Sequence, residues 1–259
     1  MKRHIALGIA ATLTVAAAAP ATAAKYTIKY WGTIDSGNDS TGVFGPAATS
    51  LVGQAFTAQF TLTDPTPGAH SYARANRDGI GGGTYFGTPS PVSGSYTING
   101  KTIAIAGDFL AYAIQWDHAV NGDGNIFDQV AHQAYDKIEI GNYSYKASVS
   151  LFAYSFGNIV NSTNIIDPLN YTAPTNDCVH DCAGGEFFIY EKVFNGTFNE
   201  YSQNAAGTVV VDRITIGPAG GVPEPAGWAM LITGFGLVGA MQRRSGRRTG
   251  RRSAAAAST

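Results

Sequence analysis

Ser95-Tyr96-Thr97-Ile98-Asn99-Gly100-Lys101-Thr102-Ile103-Ala104-Ile105 is the stretch that decides the fold. Two runs rich in β-branched and aromatic residues flank Asn-Gly. That dipeptide tolerates φ > 0 at both central turn positions and so closes a two-residue hairpin. The same period-two alternation recurs in both directions along the chain. Tyr26, Ile28, Tyr30, Gly32 and Ile34 alternate with Thr27, Lys29, Trp31 and Thr33, and Phe56, Ala58, Phe60 and Leu62 alternate with Thr57, Gln59 and Thr61. Further strands are predicted over 109–116, 137–140, 143–152, 187–194 and 208–216, while 64–94 and 157–184 read as loop-rich. No stretch sustains a capped 3.6-residue period. An all-β fold of nine or ten strands follows, an antiparallel β-sandwich of the jelly-roll-like kind.

The two ends are of different composition. Lys2, Arg3 and His4 precede an uncharged run from Ile5 to Ala19, and Ala21-Thr22-Ala23-Ala24 follows it. A basic start, a short apolar core and an A-x-A exit predict a secretory signal peptide over 1–24. At the other end, 217–222 reads as a flexible linker, and Pro223-Glu224-Pro225 stops upstream structure from running on. Ala226 to Met241 is uncharged, about 24 Å of helix at ~1.5 Å per residue, with Trp228 suited to one membrane interface. Six arginines from Arg243 to Arg252 close the segment and should remain cytoplasmic, leaving the preceding domain outside. The expected division is therefore signal peptide 1–24, β-domain 25–216, linker 217–222, membrane-spanning tail 223–252 and a disordered end over 253–259.

The tail carries a resemblance. Pro223-Glu224-Pro225, Trp228-Ala229-Met230-Leu231-Ile232, Gly234-Phe235-Gly236, Gly239 and Arg243-Arg244 are similar to the PEP-CTERM sorting signal in its PEPxxWA variety. The resemblance implies processing near Pro-Glu-Pro by an exosortase-type transpeptidase, a Gram-negative host, and delivery to the outer surface or matrix beside exopolysaccharide. The extension from Ser245 to Thr259 departs from the pattern and only lengthens the cytoplasmic end. The start of the domain, Thr33-Ile34-Asp35-Ser36-Gly37, Thr41-Gly42-Val43-Phe44-Gly45 and Gly53-Gln54-Ala55-Phe56-Thr57, resembles the opening of many such proteins and implies no activity.

Charge and motifs narrow the function. Residues 25–222 hold nine of the 17 Lys+Arg and 17 of the 18 acidic residues, a net charge near −8, against −1 for the whole chain. Such a domain repels phosphate backbones, so nucleic acid is not an expected partner, and an anionic polysaccharide would need bridging cations. Glu139, Glu186, Glu191 and Glu200 form no local acid pair of the kind glycosidases need, and no serine sits in a G-x-S-x-G elbow. His70, His118, His132 and His180 are dispersed and read as surface or packed residues.

Cys178 and Cys182 lie in an exported chain, where a disulfide is expected. A metal clip with His180 would lack a fourth ligand. Asn121, Asp123 and Asn125 alternate like calcium-loop ligands, yet Ile126 stands where glycine belongs, and a Gly-rich turn competes with that reading. No other cofactor is expected. Trp31, Trp116, Tyr143 and Tyr145 are candidates for stacking on sugar rings or for ordinary packing. The expected function is that of a non-enzymatic surface or matrix protein, with a carbohydrate-binding surface module as the alternative and a secreted hydrolase behind both.

Overall fold

A computed structural model describes residues 23–136, 143–173, 180–194 and 199–219, with the backbone alone at 143–146, 191–194 and 199–203. Residues 1–22 of the signal peptide, the Lys137–Ile140 strand, linker residues 220–222 and the whole sorting tail lie outside the described residues. The chain divides into two compact units, Met1–Gly217 and Pro218–Thr259, and the first holds the β-domain.

Thirteen strands are present among the described residues: β1 (Ala24–Asp39), β2 (Thr49–Ser50), β3 (Ala55–Asp64), β4 (His70–Ser71), β5 (Arg77–Gly82), β6 (Val92–Ile98), β7 (Lys101–Ile105), β8 (Leu110–Val120), β9 (Ile126–Tyr135), β10 (Tyr143–Ser155), β11 (Leu169–Thr172), β12 (Asp181–Phe194) and β13 (Asn199–Pro218). No helix occurs among the described residues, so none there is long and apolar enough to cross a membrane. The all-β antiparallel expectation is met, but by one continuous curled sheet in the order β4-β5-β8-β9-β10-β12-β13-β1-β3-β6-β7, with β2 and β11 as side branches.

The Asn-Gly hairpin forms as its sequence predicts. Asn99 and Gly100 take φ of 51° and 75°, and Ile98 pairs with Lys101 across the two-residue turn. The inward residues of β1 and β3, Ile28, Tyr30, Phe60 and Leu62 among them, are fully buried. The sheet curls until β6 lies across β8, β9 and β10. Gly94 marks the crossing: a Cβ there would stand 3.2 Å from Ala134 and 3.3 Å from Val149. Phe44, Phe56, Tyr96 and Phe187 fill the core beside it, with ring centroids 5.3–6.2 Å apart.

Three strand expectations need correction. The sequence predicts no strand at β9, because Asp128, His132 and Gln133 interrupt its apolar pattern. All three are nonetheless buried, Asp128 and His132 to 2% exposure. β4 and β5 form inside the first stretch that reads as loop, β5 through the glycine-rich run Arg77-Asp78-Gly79-Ile80-Gly81-Gly82. β11 and the first residues of β12 fall inside the second such stretch.

Candidate functional site

Three polar groupings can be built up from the strands. The first lies where β8 bulges. Trp116 pairs with Gln129 and Ala119 with Phe127, so Asp117 and His118 together oppose the single residue Asp128. His118 takes φ 51° and its N–H leaves the ladder. Asp128 Oδ1 accepts that N–H at 2.8 Å, and Oδ2 accepts the N–H groups of Ile159 and Val160 at 2.9 and 3.1 Å. The buried carboxylate thus ties the bulge to the loop after β10, satisfying donors that burial would otherwise penalise. His118 Nδ1 stands 2.5 Å from Asp117 Oδ1 and 3.8 Å from Asp128 Oδ1. The hydrogen bond to Asp117, then the two carboxylate charges, raise the His118 pKa. One ligand atom from each of the three side chains lies within 4.8 Å of the others. Asp128, however, is already engaged by backbone, so its role is structural.

The neighbouring turn holds the expected calcium residues. Asn121 Oδ1 accepts the N–H groups of Asp123 and Asn125 at 3.0 and 2.9 Å, and Gly124 N–H donates to the Asn121 carbonyl. The Asn121 side-chain oxygen serves the turn, while Asp123 and Asn125 are exposed.

The second grouping is internal. The Tyr30 hydroxyl and His132 Nδ1 are 2.6 Å apart, both side chains buried beside Phe60. Burial pushes the His132 pKa down to about 3 and the Tyr30 pKa well above its ordinary value. Both groups are neutral at physiological pH, a packed polar pair.

The third grouping lies on the outer face and follows from register. Paired residues on neighbouring strands share a face. Tyr112 of β8 opposes Gln133 of β9, Gln133 opposes Ser150 of β10, Ser150 opposes Glu186 of β12, and Glu186 opposes Thr208 of β13. The row continues onto β1 through a 2.7 Å hydrogen bond between the Thr208 and Ser36 hydroxyls. The Tyr112 hydroxyl bonds the Ser150 side chain, while burial raises the Tyr112 pKa. One row along, Tyr135, Phe188 and Tyr190 form an aromatic rim, with centroids 5.4 and 4.8 Å apart in successive edge contacts. Burial first, then the Glu186 carboxylate, raises the Tyr135 pKa, which places Glu186 beside that rim.

Two open depressions of about 420 and 710 Å³ meet at Glu186 and Thr208 to make a trough. Glycines shape its floor. A Cβ on Gly185 would lie 2.0 Å from the Ser150 carbonyl oxygen, and one on Gly207 would lie 2.3 Å from that of Ser36. Only glycine permits such close backbone approach, and no side chain rises from those positions. Asp35 lines the same trough.

Of the aromatics singled out in the sequence, Trp31 and Trp116 have described side chains, and each packs against an arginine. The Arg213 guanidinium sits 5.2 Å from the Trp31 ring centroid and the Arg77 guanidinium 4.8 Å from that of Trp116, so one face of each indole is covered. The Tyr143 and Tyr145 side chains lie outside the described residues. Cys182 is disulfide-bonded, and Cys178, the other cysteine of the chain, lies outside the described residues. Pro223, Glu224, Pro225, Trp228, Ala229, Gly234, Phe235, Gly236, Arg243 and Arg244 also lie outside them. The trough residues escape a reading of the sequence because their register partners come from distant strands. The alternation of Glu186, Phe188 and Tyr190 along β12 is the one local signal. Comparison with protein-family models, curated proteins and solved structures finds no match.

Proposed function

We propose that this chain is an exported surface or matrix protein, sorted through its tail by an exosortase-type enzyme, whose β-domain acts without catalysis. The observation that supports this reading is the extent of the folded unit. β1 opens at Ala24, where the leader is expected to end, and β13 closes at Pro218, upstream of Pro223. Removing both ends would take only Ala24, the first residue of β1, from the described strands. The precursor is held in the inner membrane by Ala226 to Met241 until processing frees the domain, which then associates with exopolysaccharide rather than nucleic acid. We read the curled sheet as a jelly-roll-like sandwich, supported by β6 lying across β8, β9 and β10.

Intact-mass measurement of surface-released protein tests the sorting. A chain beginning near Lys25 and ending close to Pro223 is expected. A mature surface species that keeps Arg243 to Arg252 would overturn it. The trough favours a second reading, in which the domain is a polysaccharide-binding surface module.

A further inference from the structure

Building on that second reading, we infer that the trough over β10, β12, β13 and β1 is a binding site for a neutral, extended oligosaccharide, with Glu186, Thr208 and Ser36 as its polar contacts and Phe188 and Tyr190 as its apolar wall. The shape points to a chain rather than a single sugar. The lining follows β12 from Cys182 to Tyr190, roughly 26 Å at ~3.3 Å per residue.

The chemistry points to hydroxyl groups. The Ser36–Thr208 pair offers two adjacent hydroxyls that can both donate and accept, and the Glu186 carboxylate accepts only, suiting it to sugar O–H donors. The apolar faces of pyranose rings match an aromatic wall. Charge excludes the obvious rivals. No Lys, Arg or His occurs among the described lining residues, while Asp35 and Glu186 both do. A uronate or phosphate polymer would bring anions to two carboxylates in a domain near −8.

Isothermal titration of the full-length chain, held in a sugar-free polyoxyethylene detergent, tests the site with cellohexaose, laminarihexaose, maltohexaose and hexamannuronate. Saturable binding of at least one neutral hexasaccharide is expected, with hexamannuronate inert. Thr208→Val and Glu186→Gln should each weaken that binding by about tenfold, the loss of one good hydrogen-bonding group, while Asp123→Ala at the far turn leaves it unchanged. Melting curves of both trough variants should match the parent, because neither side chain is buried. Neutral-glycan binding that survives both substitutions would overturn the trough while leaving the polysaccharide-binding reading in place. Binding of none of the three neutral probes would remove that reading together with the trough. Preferential binding of hexamannuronate would overturn the ligand class.

Discussion

Phe187, on the inner face of β12, is 1% exposed and packs against Phe44, Phe56 and Tyr96, whereas Glu186, its immediate neighbour, lies exposed on the outer face between Ser150 and Thr208. The two faces of this sheet treat polar groups in opposite ways. Inside, His132 is matched to Tyr30 and Asp128 to three backbone N–H groups, partners fixed by the fold. Outside, hydroxyl, amide and carboxylate groups line up across five strands and onto a sixth, buried at Gln133 and exposed at Glu186, Thr208 and Ser36, where a ligand can reach them. Inner polar groups therefore bear on stability and outer ones on binding, and substitutions on each side should separate the two readouts.

The largest difference is expected from Phe187→Ala against Glu186→Gln, one residue apart. Truncating a fully buried phenylalanine costs about 3–5 kcal/mol, and an exposed substitution stays within about 0.5 kcal/mol. Urea unfolding of both variants measures the contrast, and equal losses would mean that β12 does not divide the two faces as described.

Acid comes next. With the folded His132 pKa near 3 and the unfolded value near 6.5, the unfolded chain takes up a proton that the folded chain refuses. Stability is therefore complete above about pH 6.5 and falls by roughly 1.4 kcal/mol per unit below it, approaching 3 kcal/mol at about pH 4.5. His132→Gln should flatten that limb of the stability profile between pH 4.5 and 6.5. An unchanged slope would mean that carboxylates alone carry the acid sensitivity.

Asp128→Asn should cost about 1–3 kcal/mol, since an amide replaces an acceptor-only group facing three N–H donors. Its melting temperature reports this directly, and a neutral result would show that the bulge at Asp117 and His118 relaxes freely. The smallest effects belong to the β8–β9 turn. Asp123→Ala should stay within about 0.5 kcal/mol, and millimolar calcium should leave the melting curve in place, because the Asn121 oxygen is occupied by the turn itself. A calcium-dependent rise abolished by Asp123→Ala would restore the cation reading.

Alternation along the chain is sufficient to read β1, β3, β6, β7 and the core of β10, since period two alone assigns side chains to faces. Asn99-Gly100 is sufficient for its hairpin, because those two residues tolerate the positive φ the turn requires. The basic leader, the Pro-Glu-Pro string and the arginine-rich end are likewise legible as sequence, and the reading of export rests on them.

β9 is not legible, because Asp128 and His132 look like surface residues until Tyr30 and the N–H groups of His118, Ile159 and Val160 arrive from elsewhere to satisfy them. The trough is invisible for a related reason. Ser36 and Thr208 meet across 172 positions of chain, and Glu186 finds Ser150 only through the register of β10 on β12. A local pattern tells which face a residue takes. Which residues from distant strands share a row on that face is set by register, and register is settled only when the whole sheet curls and buries its core.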